Sequence, residues 1–203
     1  MTNVAPALGV LAGVLAVIDA IPYVRDTLRR ATTPHRGTWL IWAVLAIVAC
    51  ASQSADGASW SLLMLATQAV VTTLVFVLAI RLGTGGLSRA DLMLLAIAGT
   101  GVAGWLLAAA PVVATACIVV ADLVAAAMMV PKTWRDPASE TLSTFVCASL
   151  GGALASASVG ALDPSLLVYP LYFCAVNLGL ALLIAQRRAT LRDNHAQRRS
   201  VAH

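Results

Sequence analysis

The stretch Ile18-Asp19-Ala20-Ile21-Pro22-Tyr23, running on to Trp42, has a second copy at Ala121-Asp122-Leu123-Val124, running on to Phe145. An offset of 103 residues superposes Asp19 on Asp122, Pro34 on Pro137, Thr38 on Thr141 and Trp42 on Phe145 without a gap. Each copy sets a carboxylate inside an apolar run, follows it with a polar turn carrying a Thr-Pro or Asp-Pro step, and enters a new apolar run. One unit used twice, with candidate site residues near the midplane of the repeat interface, is a construction typical of membrane carriers.

The chain around this repeat is 60% apolar and 11% charged over 203 residues, against roughly 25% charged in soluble domains. Apolar runs of about 17 to 25 residues recur between short polar breaks, the length a helix needs to cross about 30 Å of hydrocarbon. The expected fold is therefore an all-α, polytopic membrane protein. Seven transmembrane helices are expected, at about residues 4–28, 38–54, 58–82, 92–110, 112–130, 141–162 and 165–185. Turn chemistry separates them at Asp56-Gly57, Gly83-Thr84-Gly85-Gly86 and Asp163-Pro164, with helix starts at Thr33-Pro34 and Asp136-Pro137. Ser88 and Asp91 make a capping-box-like start for the fourth span, and Pro111 alone separates the fourth from the fifth. Residues 1–5 carry no basic group before the first apolar run, so a cleaved secretory signal is not expected.

With seven spans, all 13 Lys and Arg residues fall on one face, among them Arg25, Arg29, Arg30, Arg36, Lys132 and Arg135. The positive-inside rule then puts the N-terminus outside and the C-terminus inside, in a bacterial-type plasma membrane. Trp39, Trp42, Trp60 and Trp105 are expected in an interfacial aromatic belt. The net charge of +4 traces loops and a short tail with no nucleic-acid-binding motif, so no nucleic acid is expected as a partner. The tail from Gln186 to His203 is expected to fray or to lie on the membrane surface. Cys50, Cys117, Cys147 and Cys174 sit inside apolar runs without paired spacing and read as small core residues, not as a metal site or disulfides. No nucleotide loop, cofactor motif or nucleophile motif is visible, and no enzyme activity is expected.

An intramembrane carboxylate costs about 2.5 to 3.5 kcal/mol on insertion scales, so Asp19 and Asp122 are expected to face a cavity or a partner. Facing one another, they would take up and release a proton, or hold a cation, as a cavity opened to either side; alternatively each pins a neighbouring helix. Pro22 removes a backbone donor and frees the Ile18 carbonyl. Gln68 with Thr72 one turn below, and Asn177 with Tyr169 and Phe173 on its face, make a candidate substrate site for a neutral polar solute. The same amides also serve as interhelical glue. Pro22, Pro131 and Glu140 are the candidate gating residues, Glu140 through an Arg of the first loop. Gly9 with Gly13, Gly99, Gly101 and Gly104, and Gly151-Gly152 read as close-packing faces.

Pro22-Tyr23-Val24-Arg25-Asp26-Thr27-Leu28-Arg29-Arg30 followed by Trp39, with Pro131 to Glu140 in the second copy, resembles the Pro-Gln, basic-loop and aromatic pattern of the SWEET and PQ-loop superfamily of small transporters. Tyr23 stands where that pattern has Gln. The chain is also similar to a bacterial membrane-protein group with a Pro-Tyr-x-Arg-Asp and Pro-x-x-Glu signature. The resemblance implies two parallel three-helix bundles joined by one linker helix (3+1+3), which divides this chain into residues 1–82, 83–110, 111–186 and a basic tail at 187–203. It further implies a secondary transporter or facilitator of a small polar solute working by alternating access, open to homo-oligomerisation. The rival expectation is a non-transporting receptor or assembly partner of the same fold.

Overall fold

A computed structural model describes residues 4–55, 60–86, 88–107, 111–158 and 164–201. They are helical, with no strand among them. Helices α1 (Val4–Ile18) and α2 (Ala20–Leu28) are the two parts of one apolar segment interrupted at Asp19. Asp19 keeps a helical backbone, φ −64° and ψ −31°, and its N–H still reaches the Leu15 carbonyl at 2.8 Å. Pro22, three residues on, has no N–H to return to Ile18, so the helical ladder is broken where the carboxylate projects.

The chain continues as α3 (Arg36–Ala55), α4 (Trp60–Leu82), α5 (Arg89–Leu107), α6 (Pro111–Arg135), a 3-10 turn (Pro137–Ser139), α7 (Leu142–Ser158) and α8 (Pro164–Val201). A helix meets every expected span. The Asp56-Gly57 turn and Asp163 lie outside the described residues. Segments Ala7–Leu28, Ala116–Arg135 and Leu167–Asn194 are long and apolar enough to cross a membrane. Shorter apolar stretches run over Arg36–Val48, Ala66–Leu82 and Leu142–Ser158. The outward faces are apolar as well: Val10, Val14, Val17 and Ile21 on the first segment, Val70 and Val77 on α4, and Leu171, Leu178 and Leu182 on α8 are all exposed.

Helix pairing obeys the repeat. α3 packs on α4 as α7 packs on α8, and α1 with α2 touches α4 as α6 touches α8. Across the halves, α1 packs on α7 and α3 on α6, so each post-turn helix leans on the carboxylate-bearing helix of the other copy. A hydroxyl marks each crossing: Thr38 Oγ1 donates to the Ala125 carbonyl at 2.7 Å, and Thr144 Oγ1 to the Asp19 carbonyl at 2.8 Å. α5 lies against α6, with Gly101 and Gly104 facing Ala121 and Cys117 in antiparallel order, so Pro111 does separate two helices. One core cluster joins Tyr23, Trp39, Val75, Met129, Phe145 and Ile184; a second joins Ile41, Leu45, Ala98, Ala121 and Met128.

Three expectations need correction. Trp39 is a core residue and Trp42 packs against both clusters, so neither belongs to a lipid-facing belt; the Trp60 and Trp105 side chains lie outside the described residues. The chain does not fray at Gln186: α8 runs to Val201 because residues 186–201 hold good helix formers and neither Gly nor Pro. Gly9, Gly13 and Gly99 face open space, whereas Gly152 lies against the Cys174 backbone, so only the last of these is a packing glycine.

Candidate functional site

The basic loops meet at one end of the helices. The turn after α2 places Arg30 at φ 58°, with Ala31 and Thr32 N–H both returning to the Asp26 carbonyl, and so aims Thr32 and Thr33 at the second copy. Thr33 N–H donates to the Ser139 carbonyl at 3.0 Å, and the Thr32 and Thr141 hydroxyls share a 2.7 Å hydrogen bond. Thr141 Oγ1 also lies 3.2 Å from Asp26 Oδ2.

Glu140 sits at the centre of this junction, 1% exposed. Asp136 caps the 3-10 turn through Ala138 N–H, and the turn delivers Glu140 in an extended conformation pointing inward. Tyr23 donates its hydroxyl to Glu140 Oε2 at 2.9 Å, and Trp39 Nε1 donates to Tyr23 at 3.1 Å. The Lys132 ammonium pairs with Glu140 Oε1 and also donates to the Thr33 carbonyl. Arg188 holds the backbone from outside, donating to the carbonyls of Glu140 at 2.6 Å and Pro137 at 3.1 Å. Burial pushes the Glu140 carboxyl above its ordinary value, against the pull of Lys132 and Tyr23. The expected partner was an Arg of the first loop. Arg25, Arg29 and Arg30 instead face outward, and Arg36 is spent on the carbonyls of Ala79 and Gly85. The charge is met by Lys132, which follows Pro131 in the C-terminal part of α6.

His35 ties the first loop to the turn before α5. Thr84 N–H donates to the Pro34 carbonyl and Arg36 N–H to the Thr84 carbonyl, both at 2.9 Å. The buried His35 ring accepts Thr38 N–H at Nδ1, 3.3 Å away, which fixes a neutral imidazole with its proton on Nε2, 3.6 Å from Asp91 Oδ1. Asp91 in turn accepts the N–H groups of Gly86 at 2.8 Å and Ser88 at 3.2 Å, while Ser88 Oγ accepts Asp91 N–H at 3.1 Å. That reciprocal pair is the capping box expected from the sequence.

Next to the Glu140 junction, between α2 and α7, lies an open groove of about 570 Å³ lined by Asp26, Thr32, Thr141, Ser143, Cys147 and Arg188. Cys147, at α7, is within electrostatic reach of Asp19.

The two repeat carboxylates sit in different surroundings. Asp122 is buried, and its Oδ2 accepts the Tyr172 hydroxyl at 2.6 Å. The Trp42 indole N–H interacts with the same carboxylate without closing a hydrogen bond, and it is buried with no partner. Asp19 is half-buried, and its carboxylate makes no hydrogen bond among the described residues. Asp122 therefore lies between Tyr172 of α8, in its own copy, and Trp42 of α3, in the other, whereas Asp19 lies near Cys147 of α7.

Buried positions Thr72, Val75 and Ala79 on α4 recur as Asn177, Leu180 and Ile184 on α8 at an offset of 105, which pairs Thr72 with Asn177. Both polar groups fold back on their own helix, Thr72 Oγ1 to the Gln68 carbonyl and Asn177 Nδ2 to the Phe173 carbonyl, each at 2.8 Å. Tyr169 packs its ring against Tyr172 and Phe173, with centroids 6.4 and 6.3 Å away. Tyr172 and Lys132 were missed as functional candidates. Tyr172 carried a signal, a phenol one turn from Tyr169 on the helix that packs on α6, whereas nothing in the sequence joins Lys132 to a buried acid.

Among the described residues no three His, Cys, Asp or Glu side chains gather as a metal ion would require. No protein family matches the chain, and neither does any curated protein or solved structure.

Proposed function

We propose that the chain is a multi-pass membrane transporter or facilitator of a small polar solute, built as seven spans in a 3+1+3 order. Its basic end would lie in the cytoplasm, and the two halves would rock about their shared seam. The observation that supports this reading most is the reciprocal crossing of α1 on α7 and α3 on α6, which lays both carboxylate-bearing helices along one interface between equivalent halves. Such an interface between packed repeats is bistable, not continuously deformable. Glu140, Tyr23, Lys132 and the Thr32–Thr141 pair then act as the inner gate, shut in this conformation. Pro22 and Pro131 lie inside the helices on either side of the gate. Asp19 and Asp122 act as separate protonation or cation sites, and Thr72, Gln68 and Asn177 face the solute when their back-bonds to the helix are exchanged for it.

Uptake into proteoliposomes, measured over a panel of polar solutes at two pH values, tests the reading. Wild type takes up at least one solute saturably, and Asp19→Asn and Asp122→Asn each alter its rate or pH dependence. Unchanged transport in both variants removes the carboxylates from the mechanism, and no uptake of any solute removes the transporter. The second reading, a non-transporting receptor, draws on the exposed Arg25, Arg29 and Arg30 at the basic end. Neutralising these three together would then abolish function while both Asn variants are tolerated.

A further inference from the structure

The two most deeply buried acids differ in one respect. Glu140 has a cation of its own in Lys132, whereas Asp122 makes no ion pair among the described residues. A buried carboxylate without a counter-charge is costly unless it takes up a proton or meets a cation brought from outside. Its surroundings suit a particular guest. Tyr172 fixes one carboxylate oxygen and leaves the other uncommitted, and the Tyr172 and Tyr169 rings stand beside it. Ring faces next to a carboxylate favour an organic ammonium group. The Trp42 indole N–H, buried and turned towards the same carboxylate, closes no hydrogen bond with it and has room for a better-placed acceptor. Its ring is braced edge-on by Trp39 at 5.1 Å and 85°, so the donor is held in place before any guest arrives.

We propose that Asp122, Tyr172 and Trp42 form a subsite for a small primary amine that also carries a hydrogen-bond acceptor, the ammonium group against Asp122 and the acceptor on the Trp42 N–H. This rests on the carrier reading only in supposing that the seam opens to admit solute. Asp19 lacks a cation too, but no polar side chain is bonded to it that would orient a guest.

The test is calorimetric titration of the full chain in lipid nanodiscs with 2-aminoethanol and with 1,2-ethanediol, its uncharged match, alongside uptake of both into proteoliposomes. The amine binds saturably and the diol does not. Asp122→Asn weakens amine binding by at least about tenfold, the scale of a lost charge-assisted hydrogen bond. Tyr172→Phe and Trp42→Phe, which keep the charge, each weaken it by about threefold or more. Equal binding of the diol, amine binding that survives Asp122→Asn in a folded variant, or no binding of either compound overturns the proposal, the last leaving Asp122 a site for a proton alone. Amine binding without uptake of anything sinks the carrier reading and leaves the subsite standing. Uptake of the diol without amine binding does the reverse.

Discussion

Tyr23 donates its hydroxyl to Glu140 at 2.9 Å across 117 residues of chain, and so the first copy of the repeat supplies the hydrogen bond that holds the only acid buried at the junction of the two copies among the described residues. Lys132 supplies the charge, and Trp39 satisfies the phenol oxygen from the other side. Removing Glu140 takes the acceptor from Tyr23 and the counter-charge from Lys132, which keeps only the Thr33 carbonyl.

Glu140→Ala strands Lys132 in the interior, and Lys132→Met strands Glu140. Each is expected to destabilise by about 3 to 5 kcal/mol, while the double variant Glu140→Gln with Lys132→Met costs less than either alone. Unfolding of the detergent-solubilised variants by denaturant, compared in a double-mutant cycle, checks this; additive losses would mean that the pair is not coupled.

Stability should fall on acidification through His35. Burial lowers its imidazole, against the opposing influence of Asp91 and with that of Lys132 and Arg36. A base held neutral by the fold binds fewer protons than in the unfolded chain, so its contribution is whole above about pH 6.5 and is lost as the pH drops below that value. Burial acts to raise Asp91, but hydrogen bonds from Ser88 and Gly86 outweigh it and hold the carboxyl below its ordinary value, so Asp91 stays ionised in this window. Glu140, raised by burial, contributes with the opposite sign. Thermal midpoints of wild type and His35→Gln between about pH 7.5 and 5.5 isolate the histidine: the wild type loses more stability over that range than the variant.

Ser88→Ala removes one arm of the α5 capping box and is expected to cost about 1 kcal/mol. Asp91→Ala costs more, since Gly86 and Ser88 N–H both lose their acceptor and His35 loses its neighbour. Chemical unfolding ranks the two, and a milder effect for Asp91→Ala would be inconsistent with the reciprocal cap.

Gly85→Ala places a methyl group where the His35 ring lies, at a backbone φ of 68°. The left-handed conformation alone costs a side-chain-bearing residue about 1 to 2 kcal/mol, and displacing the ring adds to it. A thermal midpoint equal to wild type would show that the turn has room to rearrange.

Thr38→Val and Thr144→Val each delete one hydroxyl that crosses between the copies, at a cost of about 1 kcal/mol. The two bonds share no residue, so the losses should add. Non-additivity measured in the double variant would show that the halves respond as one body.

Much of the architecture was legible along the chain. The offset that lays Asp19 on Asp122 and Thr38 on Thr141 foretold equivalent helices, and Ser88 with Asp91 foretold the cap of α5, because a capping box needs only residues three apart. The apolar runs located the helix starts to within a few residues, whereas α8 runs well past its apolar stretch. Partners of the polar groups were another matter. Tyr23 read as a departure from a Gln pattern and is a hydrogen-bond donor to Glu140; which residue of α4 stands at the place of Asn177 was not legible, and burial gives that place to Thr72. Trp39 and Trp42 read as interfacial and are packed inside.

Composition and periodicity by themselves determined that this chain is helical and rich in apolar segments, since hydropathy and helix length are properties of short stretches. The tertiary structure alone decided that Asp122 takes the Tyr172 hydroxyl and that Lys132, not an arginine of the first loop, neutralises Glu140. The reason is rotational: which side chain meets which depends on how each helix is turned about its axis, and that angle is set by packing against neighbours more than a hundred residues away along the chain.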